Sequence, residues 1–229
     1  SLDKRIKTKV YGQDEAIDKI VEAVLVSKSG LREKNKPVGS FLLVGPTGTG
    51  KTETAKQLAE ELDCKLVRFD MSEYQERHSV SKLIGAPPGY VGHAEGKMGQ
   101  GQLLTTVENY PNCVLLLDEV EKAAPEVLQV LLQVMDDGRL TGATGKTTDF
   151  TNVVLLMTSN LGAADAEKLK IGFGKNTKVD TDVTAITSFF TPEFATIGDG
   201  EIYANVFSEW PSVGGIPLTG ESSSQVILK

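Results

Sequence analysis

The sequence predicts an α/β fold of three layers, a central, mostly parallel sheet flanked by helices. Three observations point there. Short apolar runs alternate with stretches of helical period along the chain. One of those runs, "CVLLLDEV", is apolar without alternation, as a central parallel strand covered on both faces must be. Another run, "GSFLLV", passes through a glycine-rich turn straight into the helical "KTETAKQLAEEL".

The elements follow in order. From Asp14 to Ser29, Ile17, Ile20, Val21, Val24 and Leu25 recur at helical spacing and predict an amphipathic helix, followed by a polar link rich in Lys and Asn. "GSFLLVGPTGTGKTETAKQLAEEL" reads as strand, turn and helix, and "KLVRFDM" as a second short strand. After the buried "CVLLLDEV" strand, "PEVLQVLLQVMDD" is helical, with Pro125 in the first turn, where its missing N–H costs nothing. "TNVVLLMTSN" is a further strand. Beyond Gly172, "GFGKNTKVDTDV" reads as a loop and "TAITSFF" as a short helix ending at Thr191-Pro192; residues 195–229 read as irregular or weakly β. No internal repeat is visible.

Composition narrows the function classes. The 229 residues are 40% hydrophobic and 24% charged, enough for one large domain or two small ones. A formal net charge of -7 without a dense basic run disfavours nucleic acid as the principal partner. No stretch approaches the roughly 18 apolar residues of a membrane span, and no signal-peptide core opens the chain, so the expected compartment is the cytoplasm, with no membrane partner. The two cysteines, Cys64 and Cys113, lie in or beside apolar runs and read as buried free thiols.

The chemistry begins at Gly45-Pro46-Thr47-Gly48-Thr49-Gly50-Lys51-Thr52, which fits G-x-x-x-x-G-K-[ST] between a strand and a helix. Glycines let the backbone turn its N–H groups inward on phosphate oxygens, and the helix N-terminus adds partial positive charge. Lys51 is expected to reach the β- and γ-phosphates of ATP, and the Thr52 hydroxyl to ligate Mg2+. Asp118 and Glu119 close an apolar strand, at the carboxyl edge where open α/β sheets bind ligands. Asp118 is assigned to the magnesium shell, directly or through water, and Glu119 to the base that polarises the attacking water. Asn160 closes the next strand, where its amide could orient that water or simply cap the segment after it.

"VYGQDEAI", "KPVGSFLLVGPTGTGKTE", "RFDMSEYQERHSVSKLIGAPPGYVG", "VLLLDEVEKAAPEVLQVLLQVMDDGRLT", "NVVLLMTSN" and "FFTPEF" together resemble the Clp family of AAA+ unfoldases, most narrowly the second ATPase module of ClpA-type proteins. The resemblance runs from about Val10 to Phe194. It implies a P-loop NTPase fold, an AAA+ large subdomain over residues 1–194, followed by an atypical tail over 195–229. It further implies an ATPase that assembles as a hexameric ring, or with homologous subunits, and threads protein substrates toward a ClpP-like peptidase.

By the same resemblance, Tyr90 and Val91 in "GYVG" grip substrate in the ring's channel; on its own residues that stretch is a turn with a surface aromatic. A flat ring on glycine mounts grips polypeptide with little sequence preference. "DDGRLTGATGK" would be a second channel-facing loop. Val10 and Tyr11 match a segment that packs on adenine in relatives, though they could equally be core. Ile171-Gly172-Phe173 matches a peptidase-docking tripeptide, against the alternative of a loop anchored in its own core.

Three departures stand out. "HAEGKMGQGQ" is longer than the usual linker after the gripping loop. The chain opens at the edge of an ATPase module. After "FTPEF" the sequence reads "ATIGDGEIYANVFSEWPSVGG" where relatives continue with an Arg-Asn-Arg segment and a small helical domain. Without that arginine the chain is expected to bind nucleotide better than it hydrolyses it. Two alternatives stay open: a peptidase-independent disaggregase, and a nucleotide-binding module that modulates a homologous ring.

Overall fold

The computed structural model describes residues 1–10, 14–31, 34–44, 48, 50–86, 99–160, 202–206 and 225–228. Its strands are β1 (Gly39–Val44), β2 (Leu66–Asp70), β3 (Val114–Asp118), β4 (Arg139–Thr141), β5 (Thr147–Asp149), β6 (Val154–Ser159), β7 (Ile202–Val206) and β8 (Gln225–Leu228). Its α-helices are α1 (Leu2–Lys7), α2 (Asp14–Lys28), α3 (Lys51–Glu61), α4 (Val80–Ile84), α5 (Gln102–Asn109) and α6 (Pro125–Asp137).

The main sheet runs in the order β2-β3-β6-β1-β7-β8. All neighbours are parallel except β7 and β8, which pair antiparallel. Strands β4 and β5 form a separate antiparallel hairpin. The predicted α/β architecture is the observed one.

Period-two alternation divides the core into two layers. On one face Phe41, Val114, Leu116, Val154 and Leu156 meet α1, α2 and α3 through Ile6, Ile17, Ile20, Val24 and Leu58. On the other, Leu42, Leu115, Leu117, Leu155 and Met157 meet α5 and α6 through Leu103, Val107, Val127 and Leu131. Every residue of β3 and β6 is buried, which explains why both read as unbroken apolar runs. Helix α6 starts at Pro125 as expected and stops at Gly138, which takes the left-handed conformation (φ 60°) suited to a helix C-cap.

The structure adds elements that the hydrophobic pattern did not suggest. Helix α1 is too short for a periodic signal; its Arg5 pairs with Glu61 of α3 (2.6 Å), and Lys9, just beyond α1, pairs with Glu60 (3.0 Å). Within 195–229, two segments join the sheet, β7 beside β1 and β8 beyond it. The loop read into "GFGKNTKVDTDV" and the helix read into "TAITSFF" lie outside the described residues. Cys113 is buried and Cys64 half-buried, both as free thiols. Burial pushes the Cys113 thiol up to about 12.

A backbone junction ties α4, α5 and the β4–β5 hairpin together. Gly101 has φ +93°, and a Cβ there would lie 2.3 Å from the Leu83 carbonyl oxygen. One at Gly85 would lie 2.2 Å from that of Gly99. The hairpin turn joins them, since the Ala143 N–H donates to the Ile84 carbonyl at 3.0 Å. The Glu108 carboxylate accepts from Gln100 Nε2 (2.5 Å), Lys146 Nζ (2.7 Å) and Thr148 Oγ1 (3.0 Å), joining the same segments through side chains. Replacing Gly101 with alanine therefore sets a methyl against fixed backbone in a strained conformation. The expected loss is about 3 kcal/mol of unfolding free energy, read as a lower urea midpoint at unchanged slope.

Candidate functional site

Parallel pairing brings the carboxyl ends of four strands to one edge. Asp70 ends β2 and pairs with Asp118 at the end of β3. Ser159 ends β6 opposite Val44 of β1, with Asn160 next in the chain. Helix α3 starts above this edge, capped by Gly50 in the left-handed conformation (φ 91°). Between them lies a cleft of about 580 Å³ lined by Gly48, Gly50, Lys51, Thr52, Glu53, Arg68, Asp70, Asp118, Glu119, Thr158 and Asn160.

The first turn of an α-helix leaves N–H groups without intrahelical acceptors, and here that turn faces the cleft. Gly48 has φ +84° and open space where a Cβ would stand, so the turn presents backbone rather than side chain. Lys51 is 7% exposed. Burial depresses its ammonium to about 8, opposed by the carboxylates of Asp118, Glu121 and Glu119. A polyanion in the cleft would favour the charged form.

Opposite, each carboxylate has protein donors. Thr158 Oγ1 donates to Asp118 Oδ1, while Arg68 Nε donates to Asp118 Oδ2 at 2.9 Å. Glu119 is a non-glycine residue in the left-handed region (φ 57°, ψ 54°). Its N–H donates to Thr158 Oγ1 at 3.0 Å; its Oε1 accepts from Asn160 Nδ2 at 3.1 Å and its Oε2 from Lys122 Nζ at 2.8 Å. That bond to Glu119 raises the Lys122 ammonium above its ordinary range. Asp70 is held low by the Ser72 side chain and by the Ser72 N–H, which donates to it at 2.9 Å. The Asn160 N–H donates to Glu121 Oε1 at 2.9 Å.

Of the residues singled out in the sequence, Gly48, Gly50, Lys51, Thr52, Asp118, Glu119 and Asn160 meet in this cleft. Val10 does not line it. It is 1% exposed, in the apolar cluster with Ile6 and Ile17, and its N–H donates to the Ile6 carbonyl at 2.9 Å. Gly45, Pro46, Thr47, Thr49, Tyr11, Tyr90, Val91, Ile171, Gly172 and Phe173 lie outside the described residues. Arg68, Thr158 and Lys122 were not singled out. Thr158 offered a signal: a hydroxyl inside an otherwise apolar strand must find a partner. Arg68 carries no such signal, because it meets its partner only across the sheet.

The donor set fits a magnesium-bound triphosphate. The Thr52 hydroxyl opens α3 and Asp118 stands across the cleft. Among the described residues no group of three or more His, Cys, Asp or Glu side chains is placed to hold a metal ion. A divalent ion here would draw most of its ligands from phosphate and water, as Mg2+ does.

Comparison with known proteins agrees with the geometry. Residues 36–196 match the family described as AAA domain (Cdc48 subfamily). The "ClpA homolog protein" of Fuscovulum blasticum is 54% identical over 193 residues, 84% of this chain and 24% of that protein. The "ATP-dependent Clp protease ATP-binding subunit ClpE" of Lactococcus lactis is 49% identical over 214 residues, 91% of this chain and 28% of that protein. The chain thus spans about a quarter of the length of these relatives. A closed-state cryo-EM reconstruction of Hsp104 with ATPγS and FITC casein matches with a TM-score of 0.76 at 38% identity, over 90% of this chain and 34% of that one.

Proposed function

The chain belongs to the AAA domain family (Cdc48 subfamily), among its Clp-type members, and from that premise we propose that it is the ATP-hydrolysing module of a protein unfoldase. One observation carries the reading: a buried lysine at the start of α3 faces Asp118, Glu119 and Asn160 at the ends of two parallel strands, across a single cleft. Backbone amides around Gly48 and Gly50, together with Lys51, would cradle the phosphates. Thr52 and Asp118 would hold Mg2+, whose charge neutralises the phosphate oxygens. Thr158 and Arg68 fix the Asp118 carboxylate by its two oxygens, and it would serve the ion directly or through water.

Glu119 is the base. It accepts the proton of the attacking water as the water oxygen bonds to the γ-phosphorus and the β–γ bridge breaks. The Asn160 amide, already 3.1 Å from Glu119 Oε1, holds that carboxylate in place. Lys122 competes for the other oxygen, and its 44% exposed side chain can swing into solvent. In the ring reading, Tyr90 and Val91 grip the threaded polypeptide, which is supported by the casein carried in the Hsp104 reconstruction. Ile171, Gly172 and Phe173 would dock a ClpP-like peptidase, supported by the ClpE relative's description as a Clp protease subunit. The Hsp104 likeness supports the rival, a peptidase-independent disaggregase.

Three outcomes are expected. Glu119→Gln keeps ATP affinity within about threefold while phosphate release falls at least about a hundredfold; turnover near the parent rate removes Glu119 from the base role. Lys51 titrates at about 8 without ligand, and a bound triphosphate raises it. Above pH 8 the complex therefore holds a proton that the free protein has lost. Calorimetric ATP affinity should fall by up to about tenfold per pH unit from 8 toward 10, and Lys51→Arg should flatten that slope. Finally, Phe173→Ala should weaken binding of an assembled ring to ClpP; binding that is absent, or unchanged by the substitution, favours the disaggregase.

A further inference from the structure

We infer that Thr158 is a positioning residue for hydrolysis, its single hydroxyl setting both the Glu119 backbone and the Asp118 carboxylate. The inference rests on the ATPase reading above. Thr158 is 1% exposed and follows buried Leu155, Leu156 and Met157 on β6. Valine has the same shape, the same liking for strands, and no buried polar atom to satisfy. The hydroxyl is used twice. It gives its proton to Asp118 Oδ1 and accepts the Glu119 N–H at 3.0 Å. A hydroxyl does both at once, whereas a methyl does neither.

Glu119 needs such a hold. Its backbone lies in the left-handed region (φ 57°, ψ 54°), which a residue with a Cβ enters only at a steric cost. The bond from its N–H crosses from β3 to β6 and opposes relaxation toward an ordinary conformation. Thr158 and Asn160 stand two residues apart at the strand end, a spacing that sends side chains to the same side. One takes the main chain of Glu119 and the other its carboxylate, at 3.1 Å. Without the hydroxyl the peptide would be free to rotate, and the carboxylate would leave its place beside the γ-phosphate. Lys51 and the amides of α3 lie on the other wall, so nucleotide affinity should be spared.

The test compares the full chain with Thr158→Val, which removes the hydroxyl, and Thr158→Ser, which keeps it. ATP affinity is measured by calorimetry and kcat and KM by phosphate release. Amide exchange at Glu119 is followed by NMR. Thr158→Val is expected to lower kcat about thirtyfold, with KM and affinity within about threefold, and to lose protection at the Glu119 amide. Thr158→Ser should retain most of kcat and the protection. The inference is overturned if Thr158→Val keeps kcat within threefold, or if Thr158→Ser falls as far as valine, which marks a packing role. Should valine not fold, Thr158→Ala, which also lacks the hydroxyl, takes its place under the same criteria. A parent chain without turnover defeats the ATPase reading. Amide protection then decides the positioning alone, lost in valine and kept in serine supporting it, kept in both overturning it.

Discussion

Strand β3 is buried along its whole length, and that constraint dictates where charge can sit. Within a run covered on both faces an ionised side chain would face a desolvation cost that no partner there could offset. The first carboxylate comes only at Asp118, where the sheet ends. Strand β6 obeys the same rule, with Asn160 just past its last residue. Parallel pairing then does the assembling: strands that run the same way end at the same edge, so polar residues far apart in sequence meet there. The helix after β1 starts at that edge and contributes the opposite partial charge.

The cleft would be a poor place for phosphate if its acids were bare. Glu53, Asp70, Asp118 and Glu119 all line it. The protein answers each repulsion locally, giving Glu53 to Gln57 at 2.6 Å, Asp70 to the Ser72 N–H, Asp118 to Arg68 and Thr158, and Glu119 to Asn160 and Lys122. The opposite wall brings backbone at Gly48 and the depressed ammonium of Lys51 to the same cleft. The site is balanced between holding its own carboxylates still and leaving room for a more strongly charged guest.

The range of each interaction decided how much of this was legible. Lys51 and Thr52 could be read because one contiguous motif builds the turn, and Asp118 and Glu119 because they end an unmistakable apolar run. Arg68 and Thr158 were missed because their role comes from register: Arg68 meets Asp118 across β2 and β3, and Thr158 meets it across β6 and β3. Val10 was left open between core and ligand contact, and burial beside Ile6 places it in the core. Strands β7 and β8 gave too little alternation to be more than weakly β; their place comes from pairing along the open side of β1, with β8 at the edge. Helix α1 buries only Ile6 and meets α3 through long-range contacts, which no local pattern announces.

The glycine junction has an implication for how this chain can vary. Residues 86 and 99 emerge from one knot of backbone, fastened also to the turn at 142–143. Whatever lies between them begins and ends at a welded point. Insertions or deletions there are insulated from the sheet, and the entropy of closing a longer span grows only with the logarithm of its length. A change of length between residues 86 and 99 can thus leave the sheet, and the cleft at its edge, as they are.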